Sequence, residues 1–409
     1  MANTLITPTW VLKDVGLGYE NNVQLIQRCR QYDNRYEFGG AKVGNTVNYR
    51  LPQQWVVSDG QALVPQPLLD RTVPISLTNQ KHIDFDYSSA QATTQIEEVR
   101  RRYTQPAGST LASVADNFTF DTVFPNVYWA VGTPGTTPSS TLTYLQAKVK
   151  LLDASAPQEF IAVLDTLASA TLAQTTSTLF NPTNTISDNY KNGSIGKGQL
   201  GIKEWYESQN RSTFTTGTFT ASTPIIASAG QTGSTISITG WASGATTLNR
   251  GDVLRLAGVF SVNTLTKAST GRLQDFVVTA TTSDSTGATA TLPISPSIIT
   301  SGPLQTVSNS PANGAAVTVW SANPVGGAQA ATTSPQSLIF HPEAFAFVTA
   351  DLEMPEGGAM SSRISDSKAG VSMRMAKQWD VRTDQNITRI DMLIGAAAPR
   401  PEWAVRVVG

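Results

Sequence analysis

Polar and apolar residues alternate over two short stretches near the start of the chain, residues 46–51 and 73–77. An apolar side chain at every second position is typical of a β-strand with one buried face, so the two stretches are predicted to pair. A tip containing Trp55 to Gly60 lies between them. The alternation continues further along at Ile83, Phe85 and Tyr87. The pattern therefore predicts one very long hairpin, which needs packing from outside itself because isolated hairpins are marginally stable.

Apolar residues at helical spacing predict two helices after this hairpin. The first begins near Pro106 and Ser109 and stops at Pro125. Its apolar face contains Leu111, Val114, Ala115 and Phe118. The second follows Ser139 and Ser140 and carries Leu142, Leu145, Val149 and Leu152 on one face. A buried strand is predicted next, at Phe160 to Leu164, so this part of the chain mixes α and β structure.

The first segment, to about Arg35, has only a weak helical pattern and is predicted to form an arm. Its apolar residues are Val23, Leu25, Ile26 and Cys29.

The chain changes character between Ser212 and Gln336, where only seven residues are charged. Short β-rich runs separated by Gly, Ser, Asn and Pro predict a small antiparallel barrel or sandwich. These runs are Thr235–Ile238, Val253–Val259, Phe276–Ala280, Ala290–Ile294 and Val317–Trp320. Ordinary charge density returns from Ser337 to Gly409, so the β-rich block is predicted to be an insertion whose two ends lie close together.

The composition favours assembly over free diffusion. Charged residues make up 14% of the 409 residues, against roughly 25% in typical soluble domains. A surface dominated by neutral polar residues is expected to be covered largely by other subunits. The formal net charge of −1 provides no basic field for tight DNA wrapping.

Candidate chemistry is sparse. A single cysteine, Cys29, cannot form an intrachain disulfide, and the two histidines, His82 and His341, are predicted to be structural. No Gly-x-Ser-x-Gly elbow, phosphate loop or zinc spacing is present. We therefore expect no enzyme activity, no cofactor and no metal. Without a signal peptide or an apolar run of membrane length, a soluble protein is expected.

Several local motifs resemble the coat proteins of tailed bacteriophages with the Hong Kong 97 fold, in particular the Salmonella podophage branch. The matching segments are Leu248–Val259 (LNRGDVLRLAGV), Gln274–Val278 (QDFVV), Phe340–Phe345 (FHPEAF), Ile390–Gly395 (IDMLIG), Arg400–Val405 (RPEWAV) and Asn192–Gly198 (NGSIGKG), which leads into Trp205–Ser208. One departure is visible: the spine helix expected of the family appears here as a shorter pattern, interrupted by Pro106 and Gly108, which leaves the length and the start of the helix open.

The resemblance implies an α+β capsid fold with an inserted small antiparallel β-barrel domain. The expected parts are an N-terminal arm (1–35), a long hairpin or E-loop (36–90), a peripheral domain with the spine helix (91–155), an axial domain (156–211), the inserted barrel (212–336) and a return through the axial and peripheral domains (337–409).

The same resemblance implies a major capsid protein that self-assembles, as pentamers and hexamers, into an icosahedral shell enclosing the genome. Expected partners are a scaffolding protein, a portal protein, a decoration protein and packaged double-stranded DNA bound non-specifically, with no membrane. Assembly is expected in the host bacterial cytoplasm, and the product is the virion capsid.

Two groups of residues are candidates for contacts in the shell. The hairpin is predicted to make inter-subunit contacts through Arg50, Trp55, Asp59, Asp70, Arg71 and Lys81. The basic run Arg100, Arg101 and Arg102 is predicted to face scaffolding protein or DNA, although charge runs are usually solvated.

Three other functions compete with this interpretation: a phage tail-tube or other virion structural protein, an encapsulating nanocompartment shell, and a secreted β-rich hydrolase or adhesin. The mixed α/β middle argues against a tail tube, the insertion against a nanocompartment, and the missing export signal against secretion.

Overall fold

A computed structural model describes residues 8–31, 44–88, 103–177, 199–210, 213–219, 223–241, 246–284, 289–322, 328–355, 360–366 and 370–409. The chain forms two compact units. The first contains Met1–Tyr49, Thr72–Phe120 and Phe345–Ala397, and the second contains Arg50–Arg71, Asp121–Ala344 and Ala398–Gly409.

The helices are α1 (Pro8–Asn22), α2 (Gln105–Val123), α3 (Thr141–Asp153) and α4 (Thr166–Ser177). The strands in the first half of the chain are β1 (Arg30–Gln31), β2 (Thr46–Leu51), β3 (Arg71–Ser76), β4 (Asn79–Ser88), β5 (Trp129–Gly132), β6 (Ile161–Leu164), β7 (Glu204–Glu207), β8 (Thr213–Thr215), β9 (Ile225–Ile226), β10 (Gly233–Thr239) and β11 (Thr246–Leu248). The others are β12 (Val253–Val262), β13 (Ser269–Val278), β14 (Thr282–Asp284), β15 (Ala290–Ile298), β16 (Val317–Val319), β17 (Thr333–Phe340), β18 (Ala346–Ala350), β19 (Met360–Asp366), β20 (Val371–Asp380), β21 (Gln385–Ala397) and β22 (Ala404–Val408).

The first unit is built on a sheet with the order β1-β18-β21-β20-β19, to which β4 adds by pairing with β21. Helix α1 packs on β19 and β20, and its residues Leu12, Val15 and Tyr19 are buried. The sequence pattern did not predict this helix, because Gly16 and Gly18 interrupt its apolar spacing. The predicted weak pattern beyond it forms a short 3₁₀ turn, Ile26–Arg28.

Helix α2 runs from Gln105 to Val123 and is continuous through Gly108, so the interruption in the sequence pattern does not break the helix. Pro106 lies in its first turn, where a missing N–H is tolerated because those donors have no partner within the helix. Gly108 lies where α1 crosses α2, and a Cβ there would be 3.1 Å from the backbone nitrogen of Tyr19. Glycine therefore permits the two helix backbones to touch.

The predicted pairing of β2 with β3 is confirmed, but the prediction that the same hairpin continues through Tyr87 is wrong. Strand β4 pairs antiparallel with β21 over its whole length, from Ser88 opposite Gln385 to Asn79 opposite Ile394. A charged cluster fixes this position: Gln80 donates to the buried carboxylate of Asp391 at 2.8 Å, which also accepts from Arg374 and Arg389.

The second unit contains a mixed sheet of order β5-β22-β17-β6-β7, with β8 also pairing with β17. Strand pairs β5/β22 and β6/β7 are parallel, and β17 is antiparallel to β6 and β22. Helices α3 and α4 contact each other, and buried residues of both pack in the core of this sheet. The core is formed by large apolar side chains, among them Tyr144, Phe160, Leu164, Leu172, Ile339 and Val405.

The inserted block forms a six-stranded sheet of order β16-β12-β13-β15-β10-β9. This sheet closes on itself, because Ile225 on β9 bridges Ala316 beside β16 and Val317 donates to the carbonyl of Pro224 at 2.9 Å. The closed sheet surrounds its own apolar core, which includes Ile238, Leu254, Leu256, Phe276 and Leu292. Closure removes the exposed sheet edges that would otherwise pair with other chains.

The two ends of the insertion lie side by side, as predicted. Strand β8 leads into the barrel and β17 leads out of it, and the two pair antiparallel with Thr215 opposite Thr333. The hydroxyl oxygens of these two threonines are 2.8 Å apart.

Candidate assembly site

The hairpin loop, residues 52–70, connects β2 to β3 without forming a strand ladder. Glutamine side chains join its two limbs instead. Gln66 accepts from the Val56 N–H at 3.1 Å and donates to the Val56 carbonyl, and Gln53 accepts from the Leu69 N–H at 3.0 Å. The loop has three residues without a backbone donor, Pro52, Pro65 and Pro67. The sequence therefore favours an open loop over longer strands.

Large apolar side chains of the hairpin loop point into solvent. Leu63 is 91% exposed and Val57 88% exposed, while Trp55, one of the predicted contact residues, is 54% exposed. Val64, Leu68 and Leu69 are also exposed. A single exposed apolar residue is ordinary, but a group on one loop is typical of a surface that binds another protein.

The charged residues predicted for the hairpin are divided by the structure. Arg50, Asp59 and Asp70 are exposed, and within the described part of the chain no ion pair joins them to another residue. Arg71 is half-buried, and burial lowers the pKa of its guanidinium even though Glu402 is close by. Lys81 was wrongly placed on the hairpin, since it lies on β4 with its ammonium 5.9 Å from the centre of the Phe118 ring.

The basic run Arg100 to Arg102 falls outside the described residues.

A second group of residues, missed by sequence reasoning, holds the barrel to the sheet of the second unit. The side chain of Asp275 on β13 has no exposed surface and forms an ion pair with Lys150 of α3. It also accepts from Arg255 Nε at 2.5 Å and from the backbone N–H of Ala130. Lys150 donates in turn to the carbonyl of Ala130 at 2.9 Å, so one carboxylate connects barrel, helix and sheet.

The charges of this cluster compensate one another. Burial by itself would raise the pKa of the Asp275 carboxyl, but Lys150 and Arg255 outweigh that effect and hold the pKa below its ordinary value. The two cations also lie over aromatic rings, Lys150 at 5.1 Å from Trp129 and Arg255 at 5.0 Å from Trp320. The carboxylate therefore stays ionised at neutral pH, and both cations depend on it.

A second carboxylate, Asp252, closes the turn at the base of the barrel. Its oxygens accept from the backbone N–H groups of Asn249 at 2.7 Å and Gly217 at 3.0 Å, and from the Ser321 hydroxyl at 3.0 Å. Next to this turn, buried Arg406 of β22 donates to the Gly251 carbonyl at 2.8 Å. The core strand β22 is thereby bonded directly to the barrel turn.

The barrel's few charges are concentrated at this base. Five of the seven charged residues of the insertion make contacts at the base: Arg250, Asp252, Arg255, Arg272 and Asp275. Arg272 does so through an ion pair with Asp153. One signal was available in the sequence: Arg406 lies within the otherwise apolar run Ala404–Val408, and Asp275 directly precedes the apolar run Phe276–Val278. A charged residue in such a run is buried with the strand and needs a partner.

The two histidines, His82 and His341, contact neighbouring protein side chains and backbone. His341 accepts the Glu343 N–H on Nδ1 at 3.2 Å and lies edge-on to Trp403. His82 is exposed beside Asp84.

Among the described residues, no three His, Cys, Asp or Glu side chains are grouped so that they could hold a metal ion. Likewise, no helix in the described ranges is both long and apolar enough to cross a membrane.

Comparison with known families decides what this molecule is. The family model described as P22 coat protein, gene protein 5, matches residues 3–409. The chain belongs to the P22 coat protein family. The coat protein is therefore a structural protein of the virion capsid, the major capsid protein that self-assembles into the phage shell, and the predicted α+β fold of the Hong Kong 97 type is confirmed.

Solved structures similar to the coat protein include other capsid proteins. One from Mycobacterium phage Che8 is 14% identical with a TM-score of 0.48, covering 94% of this chain and 92% of that one. The capsid of Ralstonia phage GP4 is 7% identical with a TM-score of 0.44, covering 93% and 86%. The CUS-3 coat protein I-domain is 30% identical with a TM-score of 0.20, covering 25% of this chain and 97% of that domain. No curated protein matches the chain.

The barrel base of the coat protein is expected to respond to pH through Asp252. Burial raises the pKa of this carboxyl to about 6, and the N–H groups of Asn249 and Gly217 only partly oppose that effect. A folded-state pKa above the unfolded value means that the folded protein takes up the proton first. Protonation of Asp252 therefore stabilises the folded protein. This stabilisation is complete below the pKa that Asp252 has in the unfolded chain, and it is lost as the pH rises through about 6.

Relative to Asp252→Asn, the free energy of unfolding of the coat protein should therefore rise by about 2 kcal/mol between pH 7 and pH 4.5. Urea denaturation of both proteins at the two pH values measures this difference. A constant difference would show that Asp252 does not titrate in this range.

Proposed function

We propose that the coat protein closes an icosahedral shell of pentamers and hexamers by laying its hairpin loop across the neighbouring subunit. The observation that supports this proposal is the group of solvent-exposed apolar side chains on the loop, including Trp55 and Leu63. Seating them on a neighbour would remove apolar surface from water, at about 25 cal/mol per Å². The residues Trp55 to Gly60 form the distal part of this contact.

The charged residues of the hairpin would set the position of the loop. Arg50, Asp59 and Asp70 are exposed and can pair across the interface with charges of the next subunit. Exposed pairs contribute only about 0–1 kcal/mol each, so they orient the loop more than they hold it. In a closed ring each further contact becomes intramolecular, so weak single contacts still produce a stable shell.

The test is a variant in which Trp55, Leu63 and Leu68 are all replaced by serine. Because the three side chains are exposed in the subunit, its urea denaturation midpoint should not change. The yield of closed shells, counted by electron microscopy after sedimentation, should fall by at least about tenfold, because every subunit of the ring loses the same apolar contact.

Leu265→Ser is the matched control, since Leu265 is 72% exposed on the barrel and outside the loop. It should assemble as the wild type does. Normal shells from the triple loop variant would contradict the proposal.

The remaining partners belong to the same proposal. A scaffolding protein, a portal, a decoration protein and non-specifically bound double-stranded DNA would complete assembly in the host bacterial cytoplasm, with Arg100 to Arg102 facing scaffold or DNA. The coat protein would catalyse nothing and need no metal or cofactor.

Reversing the charge of all three arginines, Arg100 to Arg102, should weaken scaffold binding and reduce its salt dependence, measured by co-sedimentation at two salt concentrations.

A further inference from the structure

Helix α3 has two apolar faces. One faces the core of the second unit, where Tyr144, Ala147 and Leu151 are fully buried. The other is formed by the residues that the sequence pattern singled out, and it faces away from that core. Leu142 is 59% exposed, and Leu145 and Leu152 are each 37% exposed. We call the second face the α3 stripe, composed of Leu142, Leu145, Val149 and Leu152.

The described part of the chain gives no reason for this stripe. A surface helix normally has one apolar face and one polar face, and a helix that is apolar on both is buried on both. The spacing of the stripe, three, four and three residues, is the one that lets side chains of one helix pack into a facing surface. The helix is also firmly anchored, because the Ser140 side chain caps it at Leu142 N and Lys150 joins the Asp275 cluster.

We propose that the α3 stripe is a contact surface between coat protein subunits, covered in the shell by a second copy of this chain. The protein belongs to a self-assembling family, so a second copy is the partner that every subunit meets. None of the four stripe residues is charged, which fits an apolar counter-surface better than an acidic or basic one. Four side chains are a small part of a stable interface of about 800 Å² per partner, so the stripe adds to contacts such as those of the hairpin loop.

The single native cysteine makes this surface measurable. Cys29 is 5% exposed, and burial raises the pKa of its thiol, so it reacts slowly with maleimides. Leu145→Cys introduces one accessible thiol into the stripe. Ser301→Cys, in an exposed turn of the barrel, provides the matched control.

The proposal predicts that Cys at position 145 is labelled rapidly in free subunits and at least about tenfold more slowly in shells, while Cys at position 301 reacts rapidly in both. Equal labelling of position 145 in subunits and shells would overturn it. Protection already present in the free subunit would show that the chain covers its own stripe. Protection that disappears when a scaffolding protein is extracted from the shells would identify that protein as the occupant instead.

A second variant tests the contribution of the stripe to assembly. Leu145→Glu places a charge in the stripe, whereas Gln146→Glu places it on the same helix outside the stripe, at another exposed position. Both subunits should show wild-type denaturation midpoints, and only Leu145→Glu should lose closed shells. Normal shells from Leu145→Glu would refute the proposal. The outcome is separate from that of the hairpin loop, because the loop variant leaves position 145 unchanged.

Discussion

Asp275→Asn is expected to lower the free energy of unfolding of the coat protein subunit by about 3–5 kcal/mol, the usual effect of removing one partner from a buried ion pair. The substitution keeps the size of the side chain but leaves Lys150 and Arg255, whose side chains are only 15% and 26% exposed, without their counter-charge. Each cation also lies over an aromatic ring at the base of the barrel, and it would lose this contact by turning into solvent.

Urea denaturation followed by tryptophan fluorescence measures this change, since Trp129 and Trp320 lie directly beside the cluster. Arg272→Gln is the control, because it breaks an ion pair at the same junction whose arginine is 54% exposed. Solvent screens such a pair, so its loss should change the free energy of unfolding by under about 1 kcal/mol. Similar effects from both substitutions would show that the buried cluster does not stabilise the junction.

Gly108→Ala is expected to destabilise the first unit by about 2–3 kcal/mol, although alanine is the better helix former. The new methyl group would collide with the backbone carbonyl of Val15 and come within 3.1 Å of Tyr19 N, both on α1. Backbone atoms of a packed helix cannot turn aside as a flexible side chain can. The helices must therefore separate and lose buried apolar contacts.

Gly16→Ala, on α1 itself, is the control, and it is expected to change the free energy of unfolding in the opposite direction. A methyl group there would meet only the terminal carbon of Met373 at 3.8 Å, an ordinary van der Waals contact. The free energy of unfolding should rise by about 0.5–1 kcal/mol, because alanine loses less backbone freedom on folding. Thermal unfolding of both variants checks the pair, and a destabilisation common to both would show that crowding at Gly108 is not the cause.

The parts of the fold that were predicted correctly are those in which local pattern and packing agree. Strand β2 alternates between an exposed and a buried face, and α3 begins at the predicted Ser140 cap. The prediction from apolar periodicity failed where glycines interrupt the apolar spacing of a helix. Gly16 and Gly18 weaken the helical pattern of α1, yet α1 is a helix, and at Gly18 a Cβ would come within 3.1 Å of the Gln105 carbonyl oxygen.

Periodicity identifies a face but not its partner. Strand β4 alternates like β2 and β3, so its pattern predicts the same hairpin, whereas it pairs with a strand from the C-terminal part of the chain, Ser88 opposite Gln385. The stripe of α3 was found from spacing, but only the structure shows that it is the exposed face of the helix. The Asp275 cluster was missed because its members, Lys150, Arg255 and Asp275, come together only in the folded chain.

The side-by-side ends of the insertion also determine how the chain can close its central sheet. Strand β17 pairs with β6, from which it is separated by the whole barrel. Bringing the ends of so long a flexible segment together would oppose folding by roughly 4 kcal/mol of chain entropy plus a constant. A barrel that has already folded presents Thr215 and Thr333 as adjacent residues, so the barrel then acts as a short rigid connector. The rate at which the central sheet forms should thus depend on how early the barrel folds.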